Sequence, residues 1–238
     1  MPENPEFDHL LHCVPDVAAG AEAYTAAGLP AHVNPPYLGF QNAGWRLDER
    51  YLEILTIVDA DEFATSPFGV STISWQPTIN QLIAAGGGAL NFAINVTDVT
   101  ATQERLLEQG VPCQLHTFTR EGSPVSFQEL ILLDAPAWAP FFITYTPDRV
   151  TLVKQYAAHL VDRGAHDLTA FVIETPDPQE AARWLSELTE LPVNDTKVEL
   201  PGGAVWFEEG PADRLTALVL TDRPLTKQIL GLELRGVS

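Results

Sequence analysis

Three stretches of the chain share one hydropathic pattern. They are "FDHLLHCVPDVAAGAEAYTAAGL" from Phe7, "ALNFAINVTDVTATQERLLEQGV" from Ala89 and "DLTAFVIETPDPQEAARWLSELTEL" from Asp167. Each opens with an apolar, β-branched run and passes through Pro-Asp or Thr-Asp. Each then continues with apolar residues at helical spacing. The pattern predicts a strand feeding directly into a helix. Asp16, Asp98 and Asp177 stand where a helix N-cap would, with a carboxylate free to accept first-turn amides. Their spacings, 82 and 79 residues, are nearly constant, which marks an internal repeat. Glu180 follows Asp177 at capping-box distance. Gly28 and Gly110 suit the left-handed position that ends the first two helices. Ala181, Trp184, Leu185 and Leu188 predict a buried stripe on the third.

Shorter strand-like runs follow each helix. They are "PAHVN", "GFQNAGWRL" and "RYLEILTIV" in the first unit, and "PCQLHTFTR", "VSFQELILL" and "PFFITYT" in the second. In the third they are "TKVEL", "GAVWFEE" and "LTALVLT". Each unit therefore reads β-α-β-β-β, and the fold class is α+β. The segments "QPTINQLIAAGGG" and "VTLVKQYAAHLVDRG" predict helices that connect the units. Residues 1–150 are expected to form one domain from two units, about 6–60 and 88–147. Residues 164–238 form the third unit. Alone, it would leave a sheet edge to cover, so it is expected to pack on the first domain or on a second copy of the chain as a homodimer.

Composition narrows the partners. Of 238 residues, 45% are hydrophobic, enough for a sizeable core. The net charge of −19 is spread out, and no Lys/Arg cluster is present to grip phosphates or anionic lipid. Nucleic-acid and membrane roles are set aside, and the partner expected is a small-molecule ligand. No signal-like or membrane-length apolar run is seen, so a cytoplasmic location is expected. Cys13 and Cys113 are too few for a disulfide framework and read as free thiols. No Gly-x-Ser-x-Gly elbow appears.

Candidate chemistry gathers at a few positions. By period-two alternation, Phe7, His9, Leu11 and Cys13 share one face of the opening strand. His9 reads as a pocket histidine or as a metal ligand. Glu53, inside apolar "YLEIL", must be paired, hydrogen-bonded or shifted in pKa. It reads as a partner of His9 or an arginine, or else as a general base or ligand. Asn42 follows a Pro/Gly-rich loop and could bind a substrate oxygen; Gly39 there reads as turn chemistry. Arg120, before a Glu-Gly turn, could clamp a carboxylate or make a surface ion pair. Trp45, Phe127, Phe142 and Tyr145 read as core residues, some of them lining a pocket.

The stretches "FDHLLHCVPD", "NPPYLGFQNAGWRLDERYLEIL" and "TREGSPVSFQELILL" followed by "PFFITYT" resemble the glyoxalase-like domain family. That family belongs to the vicinal oxygen chelate superfamily, which includes glyoxalase I, extradiol dioxygenases and bleomycin-resistance proteins. The resemblance implies paired β-α-β-β-β units around a pocket with a divalent metal. It places metal ligands at His9 and Glu53 in the first unit. In the second unit the corresponding positions are Asn91 and Thr144, and in the third Ala170 stands where His9 would. Asn34 and Phe40 also depart from the family's His and Thr. The implied ligand set is incomplete. Two readings follow. One is a lyase, isomerase or dioxygenase-like enzyme acting on a small oxygenated molecule, with His9 and Glu53 as ligands or acid-base pair. The other is a metal-free sequestering protein like the bleomycin-resistance branch, with Asn42, Arg120, Asn91, Thr144, Trp45, Phe142 and Tyr145 around the ligand.

Overall fold

A computed structural model describes residues 3–119, 122, 124–156, 163–221 and 227–237. Arg120, singled out above, lies outside them. The first unit runs β1 (Glu6–Cys13), α1 (Val17–Ala26), β2 (Ala31–Val33), β3 (Phe40–Arg46) and β4 (Tyr51–Ile57). Short helices α2 (Ala60–Thr65), α3 (Pro67–Ser71) and α4 (Gln76–Ala84) then lead to the second unit. That unit is β5 (Gly88–Asn95), α5 (Val99–Glu108), β6 (Cys113–Thr119), β7 (Ser126–Leu132) and β8 (Phe141–Thr146). Helix α6 (Arg149–Tyr156) precedes the third unit: β9 (Leu168–Thr175), α7 (Pro178–Thr189), β10 (Val193–Asn194), β11 (Lys197–Val198) and β12 (Ala204–Glu209).

The local signals hold where they were read. Asp16 accepts from the Ala19 amide at 2.9 Å, Asp98 from Thr100 and Ala101, and Asp177 from Glu180 at 2.9 Å. Such a cap is worth roughly 1 kcal/mol to each helix. Gly28 and Gly110 take φ of +84° and +77° just beyond α1 and α5. On α7, Ala181, Leu185 and Leu188 are buried, with Trp184 at the edge of the core.

Each unit closes the same way. Its first strand pairs in parallel with its last: β1 with β4, β5 with β8 and β9 with β12. Units one and two join through antiparallel β1 and β5. One assignment differs from the sequence reading. "LTALVLT" does not close the third unit; β12 does, and "PVNDTKVEL" folds into the short hairpin β10–β11. The "LTALVLT" run is β13 (Arg214–Leu220), antiparallel to β9 as β5 is to β1. With β14 (Lys227–Ile229) and β15 (Leu232–Gly236), the latter parallel to β13, it makes a fourth, abbreviated unit.

The third unit's edge is thus covered within the chain. Strand β13 also pairs with β5 through Leu215 and Ala89, so all four units share one sheet. The core crosses that junction: Phe171 on β9 meets Phe92 at 4.5 Å and Phe7 at 5.5 Å between ring centroids. Burying one such ring contributes roughly 2–3 kcal/mol. No helix among the described residues is long and apolar enough to cross a membrane.

Candidate functional site

Strand β1 carries a local irregularity that builds the site. Its register against β5 slips between Phe7 and His9. A bulge of this kind re-aims side chains. Phe7 consequently joins the main core, while Leu11 and Cys13 belong to a second apolar cluster on the opposite face. The strict alternation expected for Phe7, His9, Leu11 and Cys13 is broken at Asp8. Asp8 and His9, adjacent in sequence, come side by side. The buried Asp8 carboxylate accepts from His9 Nδ1 at 2.7 Å, Tyr145 Oη at 2.9 Å and Arg149 Nη1 at 3.3 Å. Arg149 also pairs with Glu6 and donates to the Phe7 carbonyl.

Asp8 thereby fixes the His9 ring and leaves Nε2 facing Glu53 Oε2 at 3.9 Å. Tyr51 stacks on the imidazole at 4.6 Å and 14°, and Phe141 meets it edge-on at 5.4 Å. Burial lowers the pKa of His9. The hydrogen bond to Asp8 and the charges of Asp8, Glu53 and Glu129 outweigh this, so the net shift is upward.

Glu53 projects from β4. Its Oε1 accepts from Asn42 Nδ2 at 2.5 Å, and Asn34 Nδ2 in turn donates to Asn42 Oδ1 at 3.0 Å. The Asn42 amide is therefore spent on holding Glu53. Glu129, on β7, is the third titratable group here, and sequence reasoning missed it. The signal existed: a lone acid inside apolar "FQELILL", the same pattern that marked Glu53 in "YLEIL". Burial, reinforced by the charges of Glu53 and Asp8, pushes Glu129 up to about 7 against the pull of His9.

These groups sit at one end of a cavity with about 640 Å³ of empty space, mouth included. Its walls are apolar. Phe40, Leu55 and Phe141 come from strands, and Phe63, Phe68 and Trp75 from the helical segment α2–α4. Phe68 stacks on Phe118 at 4.8 Å. The connecting segment between units one and two is thus the roof of the cavity.

Other expected positions lie elsewhere. Strand β8 turns Phe141, Ile143 and Tyr145 toward the cavity side and Phe142 away, into the main core. Thr144 stands where Glu53 would, but has the wrong parity. Its hydroxyl donates to the Val96 carbonyl at 2.8 Å and accepts from the Val99 amide, tying β8 to the start of α5. Trp45 is fully buried in the core, with its indole donating to the Arg163 carbonyl. Asn91 is buried at a second slip of the β1–β5 register, between Leu10 and His12, and its amide has no partner among the described residues. Tyr145 acts from behind, on Asp8, and also bonds Tyr51. His12 is structural: it bonds Tyr24 and the Leu230 carbonyl, and burial lowers it to about 4.

The donors can be tested against a metal ion. Among the described residues no three of His, Cys, Asp and Glu are arranged to hold one. The acid nearest His9 is Asp8, and its carboxylate is already committed to His9, Tyr145 and Arg149. Thr144 adds no ligand, because its hydroxyl is spent on the backbone. This donor set does not fit a resident divalent ion.

A sequence profile described as the glyoxalase-like domain matches residues 7–189. No curated protein matches the chain. Among solved structures, a hypothetical protein from Staphylococcus aureus is similar at 15% identity. It aligns over 98% of this chain and 99% of its own, with a TM-score of 0.78. A mutant 4-hydroxymandelate synthase from Streptomyces coelicolor is similar at 14% identity, over 93% of this chain and 72% of its own, with a TM-score of 0.55. Both likenesses concern the fold. With the profile covering most of its length, the chain belongs to the glyoxalase-like domain family.

Proposed function

We propose that the protein is a metal-independent acid-base enzyme that moves a proton on a small oxygenated molecule, in an isomerase or lyase reaction. One observation carries this reading. His9, Glu53 and Glu129 converge from three strands on an apolar cavity, with Glu129 shifted to about 7. A carboxyl shifted by burial in a cleft beside other titratable groups is a candidate for acid-base work.

The roles follow from the environments. Glu53, aimed by Asn42, takes a proton from the carbon beside a carbonyl group. The C–H bond breaks, its electron pair forms the enol double bond, and negative charge moves onto the carbonyl oxygen. Protonated Glu129 donates to that oxygen, and His9, held by Asp8, stabilises the developing charge. Return of the proton to a different face or carbon gives an isomer; loss of a group from the next carbon gives elimination. The apolar walls exclude water from these steps.

The test is solvent exchange. The protein is incubated in D2O with a panel of small ketones, 2-oxoacids and hydroxyaldehydes, and deuterium uptake is read by mass spectrometry. Uptake should fall by roughly 10²- to 10⁴-fold in Glu53→Gln, the usual worth of a general base. Uptake that survives in Glu53→Gln would overturn the assignment. A sequestering protein is the second reading, favoured by the apolar lining. It expects no exchange and full ligand affinity in Glu53→Gln.

A further inference from the structure

Strands β3 and β4 turn two rows of side chains toward the same side of the sheet. Phe40, Asn42, Gly44 and Arg46 alternate with buried Ala43 and Trp45; Tyr51, Glu53, Leu55 and Ile57 alternate with buried Leu52 and Ile54. The row is apolar at one end, at Phe40, Leu55 and Ile57, where the cavity described above lies. At the other end a second hollow of about 540 Å³ is lined by Pro30, His32, Asn34, Gly44 and Arg46. Asn42 and Tyr51 also line it, and Glu53 lines both. Glu53 is a wall of both hollows, so the proposed base stands where a greasy hollow meets a polar one. Gly44 keeps the floor open: a side-chain carbon there would meet nothing nearer than the Leu52 carbonyl at 3.7 Å.

Arg46 and Arg183 are the described arginines without a carboxylate partner, and Arg183 donates to the Gln179 carbonyl on its own helix. Arg50, Arg105, Arg149, Arg214 and Arg235 each pair with carboxylates. Arg46 pairs with none among the described residues; it is exposed and lies over the Tyr51 ring at 4.7 Å. Because β4 lies between β3 and β1, Tyr51 stands between Arg46 and His9. A cation with its hydrogen-bonding fork free is held one ring away from the reacting groups. An arginine so placed recognises carboxylates bidentately.

We infer that the natural ligand is an organic acid with an apolar body: Arg46 takes its carboxylate at the polar end, and the aromatic cavity takes the body. The reactive carbon then lies between them, at Glu53. This deepens the proton-transfer reading and rests on it for the position of the reactive carbon, but binding alone can test it. With a net charge of −19, the surface as a whole repels anions, so a preference for an acid needs a local cause.

The probes are 4-phenylbutanoate and its neutral counterpart 4-phenylbutan-1-ol, titrated calorimetrically into the full chain and into Arg46→Met. The acid should bind the wild type roughly 10- to 100-fold more tightly than the alcohol, the worth of a charge-assisted pair. In Arg46→Met the preference should vanish while alcohol affinity stays unchanged. Arg46→Lys should keep part of it. Arg46 is exposed, so these variants should fold. Equal binding of the two probes, no binding of either, or a preference that survives in Arg46→Met would overturn the inference. Acid preference without deuterium exchange would leave the inference standing and remove the proton-transfer reading.

Discussion

Replacing Glu129 by Gln should make the protein more stable, and by an amount that depends on pH. Glu129 is 9% exposed, and its carboxyl is raised from 4.5 to about 7. The folded state therefore holds this proton more tightly than the unfolded chain does. Between those two values the folded state binds more protons, so stability falls as pH rises. Full ionisation in the folded protein costs about 3 kcal/mol, at 1.36 kcal/mol per tenfold change in the protonation equilibrium. Gln has the same shape and carries no charge. Glu129→Gln should gain under about 1 kcal/mol near pH ~5, where the native carboxyl is already protonated, and about 3 kcal/mol above pH ~8. Urea unfolding at the two pH values reads this as a midpoint shift of about 1 M at the alkaline pH and little at the acid one. A gap that does not change with pH would refute the reasoning. So would a loss of stability in the variant at alkaline pH.

Two further substitutions probe what holds the site. Asp8→Asn removes the charge shared by His9, Tyr145 and Arg149 and should cost about 3 kcal/mol in urea unfolding, as for other broken buried pairs. His9 is raised above its ordinary 6.5, so its share of that cost is present below that pH and disappears as pH rises through the folded value; a cost that grows with pH would contradict the assignment. Gly39→Ala should lower stability by about 2–4 kcal/mol in thermal unfolding, since Gly39 has φ of +78° and an added carbon would lie 2.3 Å from the Phe63 amide. A loss under about 1 kcal/mol would mean that the β3 turn and the cavity roof are not packed as described.

The fold was largely legible because its signals are local. A cap such as Asp98 or a terminator such as Gly110 acts within one turn of its own helix, so the three strand-helix starts and the α+β class could be read directly. What escaped depends on register. The bulge at Asp8 leaves no mark in "FDHLLHC", yet it sends Phe7 to the core and makes Asp8 the partner of His9. On β8 a shift of one residue separates the cavity face from Phe142 and Thr144, so matching by sequence offset from the first unit chose the wrong parity. The abbreviated fourth unit was missed because β12 and β13 read alike as apolar strands; only pairing direction tells them apart. His9 and Glu53 were legible from an unusual residue type in an apolar run. Glu129 carried the same signal but offered no offset from the repeat.

The central claim is that a buried carboxyl opposite His9 and Glu53 stays protonated up to neutral pH. Infrared difference spectroscopy tests it most directly, following the carboxylic-acid C=O stretch from about pH 4 to about pH 9 in the wild type and in Glu129→Gln. The result expected is a wild-type band, absent from the variant, that titrates with a midpoint of about 7. A Glu129 band that is lost by the ordinary 4.5 would contradict the claim, and with it the acid assigned to this site.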